Sequence, residues 1–169
     1  MSFGICSATT TAVDETAHII VAAEVVNTSS DVHPLPMVLN AVKTHTGVQA
    51  AQVLADAGYR SEAVMAELAT SQPDTELVIA LGREGKVLVK PRDEKRYPHT
   101  TAMAAKFETE QGKLDYRQRK WIAEAPNGWI KNVLGFRQFS MRGLKKAQAE
   151  FKLVCLALNL RRMGAMQMG

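Results

Sequence analysis

The chain reads as an α/β protein, a mixed sheet flanked by helices. Three observations predict this class. Short apolar, β-branched runs alternate with helix-spaced ones along residues 17–81. Ala17 to Val26, AHIIVAAEVV, is nearly all apolar, as a strand covered on both faces must be. The order β-β-α-β-α-β joins successive strands through helices, which implies right-handed crossovers.

Residues 1–12, MSFGICSATTTA, are small and weakly patterned, with Ser7 to Val13 a poorly defined strand candidate. Asp14-Glu15-Thr16 reads as a hairpin turn leading into the Ala17–Val26 strand. Asn27 to Pro36 is a loop. Ser29, Ser30 and Asp31 are good helix N-caps, and Pro34 suits a first helical turn. That helix should run to Thr46, with Gly47 stopping it. Ala51 to Ala55 is a second buried strand, Arg60 to Thr70 a helix, and Thr75 to Leu81 a third apolar strand.

After Leu81 the character changes. Residues 82–113 are polar, basic and Pro-containing, and read as an insertion or loop. Within them Val87 to Val89 suggests a short strand and Ala102 to Phe107 a helical turn. Leu114 to Lys131 is helical, with Pro126-Asn127-Gly128 predicting a kink or break just after Glu124. Residues 132–143 form a loop. Leu144 to Met163 is a last helix, whose apolar face Leu153, Leu156 and Leu160 should widen against the sheet. Residues 164–169 should fray. Altogether residues 1–169 read as a single unit.

Charge is unevenly distributed. Residues 1–82 carry a net charge of −7, residues 83–120 one of +5, and residues 121–169 one of +6. A basic C-terminal half favours a polyanionic partner, most simply nucleic acid. Cys6 and Cys155 match no zinc or redox spacing and read as reduced thiols. The start lacks a signal-peptide pattern, and Phe151 to Leu160 is too short to span a bilayer. These features point to a cytoplasmic protein with no membrane partner. The four histidines form no zinc signature, and no Gly-rich phosphate loop is present.

Two acids stand out. Glu124 lies among Tyr116, Arg117, Arg119, Lys120 and Lys131. At 100° per residue Tyr116, Lys120, Glu124, Asn127 and Lys131 share one helical face. This pattern fits a metal ligand beside a phosphate track, and it also fits an ordinary ion-paired surface helix. Asp56 ends a buried strand, where α/β sheets place catalytic groups, but it could equally cap the turn that follows. Hard oxygen ligands of this kind suit Mg²⁺ or Mn²⁺. A two-acid site needs a third carboxylate, for which Asp14 and Asp31 are the candidates, although each also reads as a turn or cap residue.

Val53 to Glu62, VLADAGYRSE, resembles the second-aspartate motif of bacterial insertion-sequence DDE transposases. Tyr116 to Lys131, YRQRKWIAEAPNGWIK, resembles their third motif, and Gly135 to Met163 resembles their C-terminal end. The resemblance implies the C-terminal part of an RNase H-like catalytic domain that cuts and joins DNA at transposon ends with Mg²⁺ or Mn²⁺. It implies Asp56 and Glu124 as catalytic metal ligands. It also implies Tyr116, Arg119 or Lys120, and Lys131 as DNA contacts, while Arg137 and Arg142 belong to the basic surface that would bind the backbone. The family's first catalytic aspartate lies on a strand upstream of the hairpin, and residues 1–11 do not match that lead-in. The expectation is therefore an N-terminally truncated domain, inactive alone, binding metal weakly. Its expected partners are transposon-end and target DNA, a second copy or a full-length transposase, at the bacterial nucleoid. A regulatory DNA-binding protein is the alternative.

Overall fold

The computed structural model describes residues 2–6 (backbone only), 9–26, 34–82 and 93–167. Among the described residues five strands pair into one sheet: β1 Ser2–Cys6, β2 Thr10–Asp14, β3 Ile20–Glu24, β4 Gln52–Ala55 and β5 Glu76–Ile79. Their order across the sheet is β3-β2-β1-β4-β5. The β1–β2 and β2–β3 pairs are antiparallel, and the β1–β4 and β4–β5 pairs are parallel. The expected hairpin leading into the sheet is present as β2–β3. The weak opening segment behaves differently from its sequence pattern. Ser2–Cys6 is a strand, and it holds the central position between β2 and β4. Phe3 and Ile5 alternate with Ser2 and Gly4, but five residues with a central glycine are too short a pattern to fix a strand alone. Only two flanking partners make this segment a strand.

The parallel pairs require crossovers. Helix α1, Pro34–Thr46, carries the chain from β3 to β4, and helix α2, Glu62–Ser71, carries it from β4 to β5. Val13, Leu35, Val38, Val53, Leu54 and Ile79 form the fully buried centre. Ser61 caps α2 by accepting from the Val64 amide.

The polar segment after Leu81 is more ordered than its composition predicts. Helix α3 spans Pro98–Glu108 and helix α4 spans Glu110–Arg119. Thr100, Met103, Ala104 and Phe107 are the buried side of α3 and keep i, i+3, i+4, i+7 spacing. The proposed strand at Val87 to Val89 lies outside the described residues.

The N-terminus of α3 docks on Glu62. Its carboxylate accepts from the His99 amide at 2.7 Å, the Thr100 amide at 3.0 Å and the Thr100 hydroxyl at 2.6 Å. These amides are among the orphan donors of a helix start. Burial alone would raise the Glu62 pKa. The hydrogen bonds from Thr100 and His99 outweigh it and hold the carboxyl below its ordinary value. A depressed folded pKa contributes stability above the unfolded pKa, and that stability is lost as pH falls through the folded value. Glu62→Gln should therefore cost about 1.5–3 kcal/mol near neutrality. The gap from wild type should shrink as the solution is acidified below the usual glutamate range. Thermal melts across pH check this, and a gap that stays constant in acid would count against the account.

The sheet is closed at its β3 edge by the last helix, α6, Leu144–Gln167, which continues past the predicted end at Met163. Gln148 accepts from the Val25 amide at 2.5 Å and donates to the Ala23 carbonyl at 2.6 Å. Asn159 accepts from the Ile20 amide at 2.9 Å and donates to the Ile20 carbonyl at 2.8 Å. Eleven helical residues rise about 16 Å, close to the length of the five-residue strand they follow. A helix lying along an edge buries only one flank. Phe151, Cys155 and Leu158 face inward, whereas Leu153, Leu156 and Leu160 are 64%, 50% and 59% exposed. The wide buried face expected of these leucines is not what forms. Burial pushes the Cys155 thiol up to about 12, so it is an inert core residue.

Candidate functional site

Asp56 and Glu124 reach the same end of the sheet from different elements. Asp56 follows the last residue of β4, one step beyond the Ile5–Ala55 pair. The chain turns there through a 3-10 turn, Ala57–Tyr59. The Asp56 Oδ1 accepts from the Gly58 amide at 2.9 Å, so the capping reading of this acid holds for one of its oxygens. Tyr59 is fully buried beneath the turn and donates to the Thr10 hydroxyl at 3.2 Å.

Glu124 closes a π-helical turn, Lys120–Glu124, that packs on β1 and β2. Helix α5, Ala125–Asn132, follows directly, with Glu124 and Ala125 both in the right-handed helical region. The break predicted after Glu124 does not occur. Pro126 falls in the first turn of α5, and the irregularity lies in the π turn directly before it. The extra residue of a π turn also undoes the single face drawn through Tyr116, Lys120, Glu124, Asn127 and Lys131. In an α-helix, residues five apart sit about 140° from one another. The π turn stacks them instead, and Arg119 Nη2 meets Glu124 Oε1 at 2.9 Å.

Arg119 was expected at the DNA. Its side chain is instead 9% exposed, against 47% for that of Glu124. The guanidinium lies 5.3 Å from the centre of the Tyr116 ring, and the Tyr116 ring packs edge-on against Phe107 at 5.4 Å. Desolvation would lower the Arg119 pKa. The combined pull of Tyr116, Glu124 and Asp56 outweighs it and raises the value further. Asp56 therefore lies within electrostatic reach of the same cation.

Asn127, which sequence reasoning placed on the face without a role, is buried. It donates to the Ala123 carbonyl at 2.7 Å and to the Thr11 hydroxyl at 3.3 Å, tying α5 to β2. Its signal was the lone amide between Pro126 and Gly128 in a helix with an otherwise apolar inner side. Lys131 and Arg137 line a shallow cleft with Thr9, Gln138 and Phe139 at the β1–β2 end of the sheet. Arg142 is exposed in the loop before α6. The side chain of Lys120 lies outside the described part of the structure.

The spare acids do not complete a metal site. Asp14 pairs with Phe3, which in turn pairs with Val53, three residues short of Asp56. That is about 10 Å away along the strand direction. Asp14 instead closes the hairpin by accepting from the Ala17 amide at 2.7 Å. Asp31 lies outside the described residues. The sequence of β1, SFGIC, contains no carboxylate. Among the described residues, no three His, Cys, Asp or Glu side chains gather as a metal site. Two acids, one of them bound to a buried arginine, do not fit the oxygen-rich shell that Mg²⁺ requires.

Among the described residues no helix is long and apolar enough to cross a membrane. No curated protein and no solved structure matches the chain. Residues 81–164 match the family model described as Transposase DDE domain. The matched segment contains Tyr116, Arg119, Glu124, Lys131, Arg137 and Arg142, and leaves Asp56 outside it. The match supports a DDE transposase, and it is the C-terminal half of the chain that carries this similarity.

Proposed function

We propose that this chain is an RNase H-like unit of a DDE transposase that binds DNA and does not cut it alone. The observation that carries the reading is the meeting of Asp56 and Glu124 at one end of the sheet around the buried Arg119. The transposase resemblance would assign these two acids to metal binding. In support, β1 carries no carboxylate, and the Glu124 carboxylate is already engaged by a cation. DNA binding then rests on the exposed cations. Lys131 and Arg137 would contact phosphates at the cleft, with Arg142 on the adjacent loop and Lys145 and Lys146 at the start of α6. The engaged Glu124 favours a binding or regulatory role over a self-sufficient nuclease. Such a role includes competition with an intact transposase for its DNA.

Fluorescence anisotropy with a labelled duplex in EDTA tests this reading. Binding should appear at low salt and weaken steeply as salt rises. A Lys131→Ala/Arg137→Ala double variant should lower the salt slope by about 2, one for each phosphate left without its cation. No nicking should follow the addition of Mg²⁺. Absence of binding at low salt would remove the DNA reading. Mg²⁺-dependent cleavage lost in both Asp56→Ala and Glu124→Ala would overturn the claim of incompleteness.

A further inference from the structure

The transposase similarity implies a divalent cation at these acids, and the donor set disagrees with it. A guanidinium this deeply buried needs a bound anion, because desolvating an unpaired charge is strongly unfavourable. Arg119 has that anion in Glu124 Oε1 at 2.9 Å, with its charge held beside the Tyr116 ring. The pair is enforced by the backbone, since only the π turn brings residues 119 and 124 into register. The Arg119 Nε is buried and has no hydrogen-bond partner among the described residues, so the guanidinium retains unused donor capacity beside Glu124. A divalent ion placed on the same carboxylate would face this fixed positive charge at short range.

We propose that the Arg119 guanidinium, rather than a divalent cation, is the resident counter-charge of Glu124, and that it holds the metal position closed. This concerns the same site as the DNA reading and depends on it only for the naming of the two acids. The Arg119–Glu124 pair is neutral in itself. Beyond the small number of acids, this one side chain further suppresses metal affinity, and part of that affinity returns when its charge is removed.

Titration of the full chain with Mn²⁺ alone, followed by the electron paramagnetic resonance of the free ion, tests the proposal. The wild-type chain should show no saturable site up to millimolar Mn²⁺. Arg119→Gln should gain affinity on the order of 10- to 100-fold. Arg119→Lys, which keeps the charge, should stay closed, and adding Glu124→Gln to Arg119→Gln should erase the gain. A saturable wild-type site lost in Glu124→Gln would overturn the proposal, as would a folded Arg119→Gln with no gain. Should Arg119→Gln fail to fold, the Nε–H resonance of Arg119 in the wild-type chain decides. It should be resolved from the bulk arginines, move in Glu124→Gln and ignore millimolar Mg²⁺. A resonance averaged with the bulk, or shifted by Mg²⁺, would refute the lock. Metal binding by the wild-type chain sinks this inference and leaves DNA binding in EDTA standing. Failure to bind DNA does the reverse.

Discussion

Replacing Gln148 and Asn159 together with alanine should lower the stability of the chain by about 3 kcal/mol and make it associate. Each amide makes one accepted and one donated bond to the β3 backbone, four in all. At about 1 kcal/mol per bond the loss is about 4 kcal/mol. Alanine recovers helix propensity, at most about 0.7 kcal/mol per site, which does not reverse the sign. Against a total of about 5–15 kcal/mol for a typical native protein, this is a large fraction. The second consequence is qualitative. The two amides satisfy the Ile20, Ala23 and Val25 backbone groups that a neighbouring strand would otherwise use. Without them β3 presents a bare edge, the usual template for edge-to-edge pairing. Urea unfolding gives the first quantity, and light scattering against concentration gives the second. A double variant within about 1 kcal/mol of wild type and still monodisperse would show that these bonds are replaced by water at no cost.

This edge also shows what the sequence could and could not carry. The apolar runs at Ile20–Glu24 and Glu76–Ile79 were legible because each strand's burial is written in its own residues. The central strand was not, because Ser2–Cys6 owes its place to β2 and β4 on either side. The truncation expected of this chain would leave the sheet without its first strand. The structure fills that central position and covers the β3 edge with the Gln148 and Asn159 amides. Helix α3 is a different case. Its buried Thr100, Met103, Ala104 and Phe107 show helical spacing in the sequence, where only a turn at Ala102 to Phe107 was read because the surrounding charge and prolines hid its full length. The site divides in the same way. Glu124 and its neighbouring cations were visible as a cluster. Which cation would meet Glu124 depended on a π turn, and no periodicity built on 100° per residue can register an inserted residue. Arg119 was therefore assigned outward to DNA, although the fold turns it inward.

Gly112→Ala should destabilise the chain even though helix propensity argues the opposite. Gly112 lies near the start of α4, where its amide donates to the Thr109 hydroxyl at 3.0 Å. Exchanging glycine for alanine in a helix ordinarily gains about 1 kcal/mol. Here an added Cβ would stand 2.2 Å from the Lys106 carbonyl oxygen and 2.9 Å from its carbon. Both are backbone atoms at the end of α3, so no rotamer change relieves the contact and α4 must move away. Overpacking of this kind costs about 1–3 kcal/mol, and more where the backbone itself is the obstacle. The expected net loss of about 2 kcal/mol corresponds to a fall of roughly 4–8 °C in Tm for a chain of this size. Gly128 in α5 is the matched control, since nothing lies within 4 Å of a Cβ built there. Gly128→Ala should raise Tm, and a rise in both variants would show that α3 and α4 are not packed this closely. Because α4 carries Tyr116 and Arg119, the displacement in Gly112→Ala should also loosen the Arg119–Glu124 contact. Faster exchange of the Arg119 Nε–H in Gly112→Ala, and not in Gly128→Ala, would link the close approach of two helices to the charge state of the site.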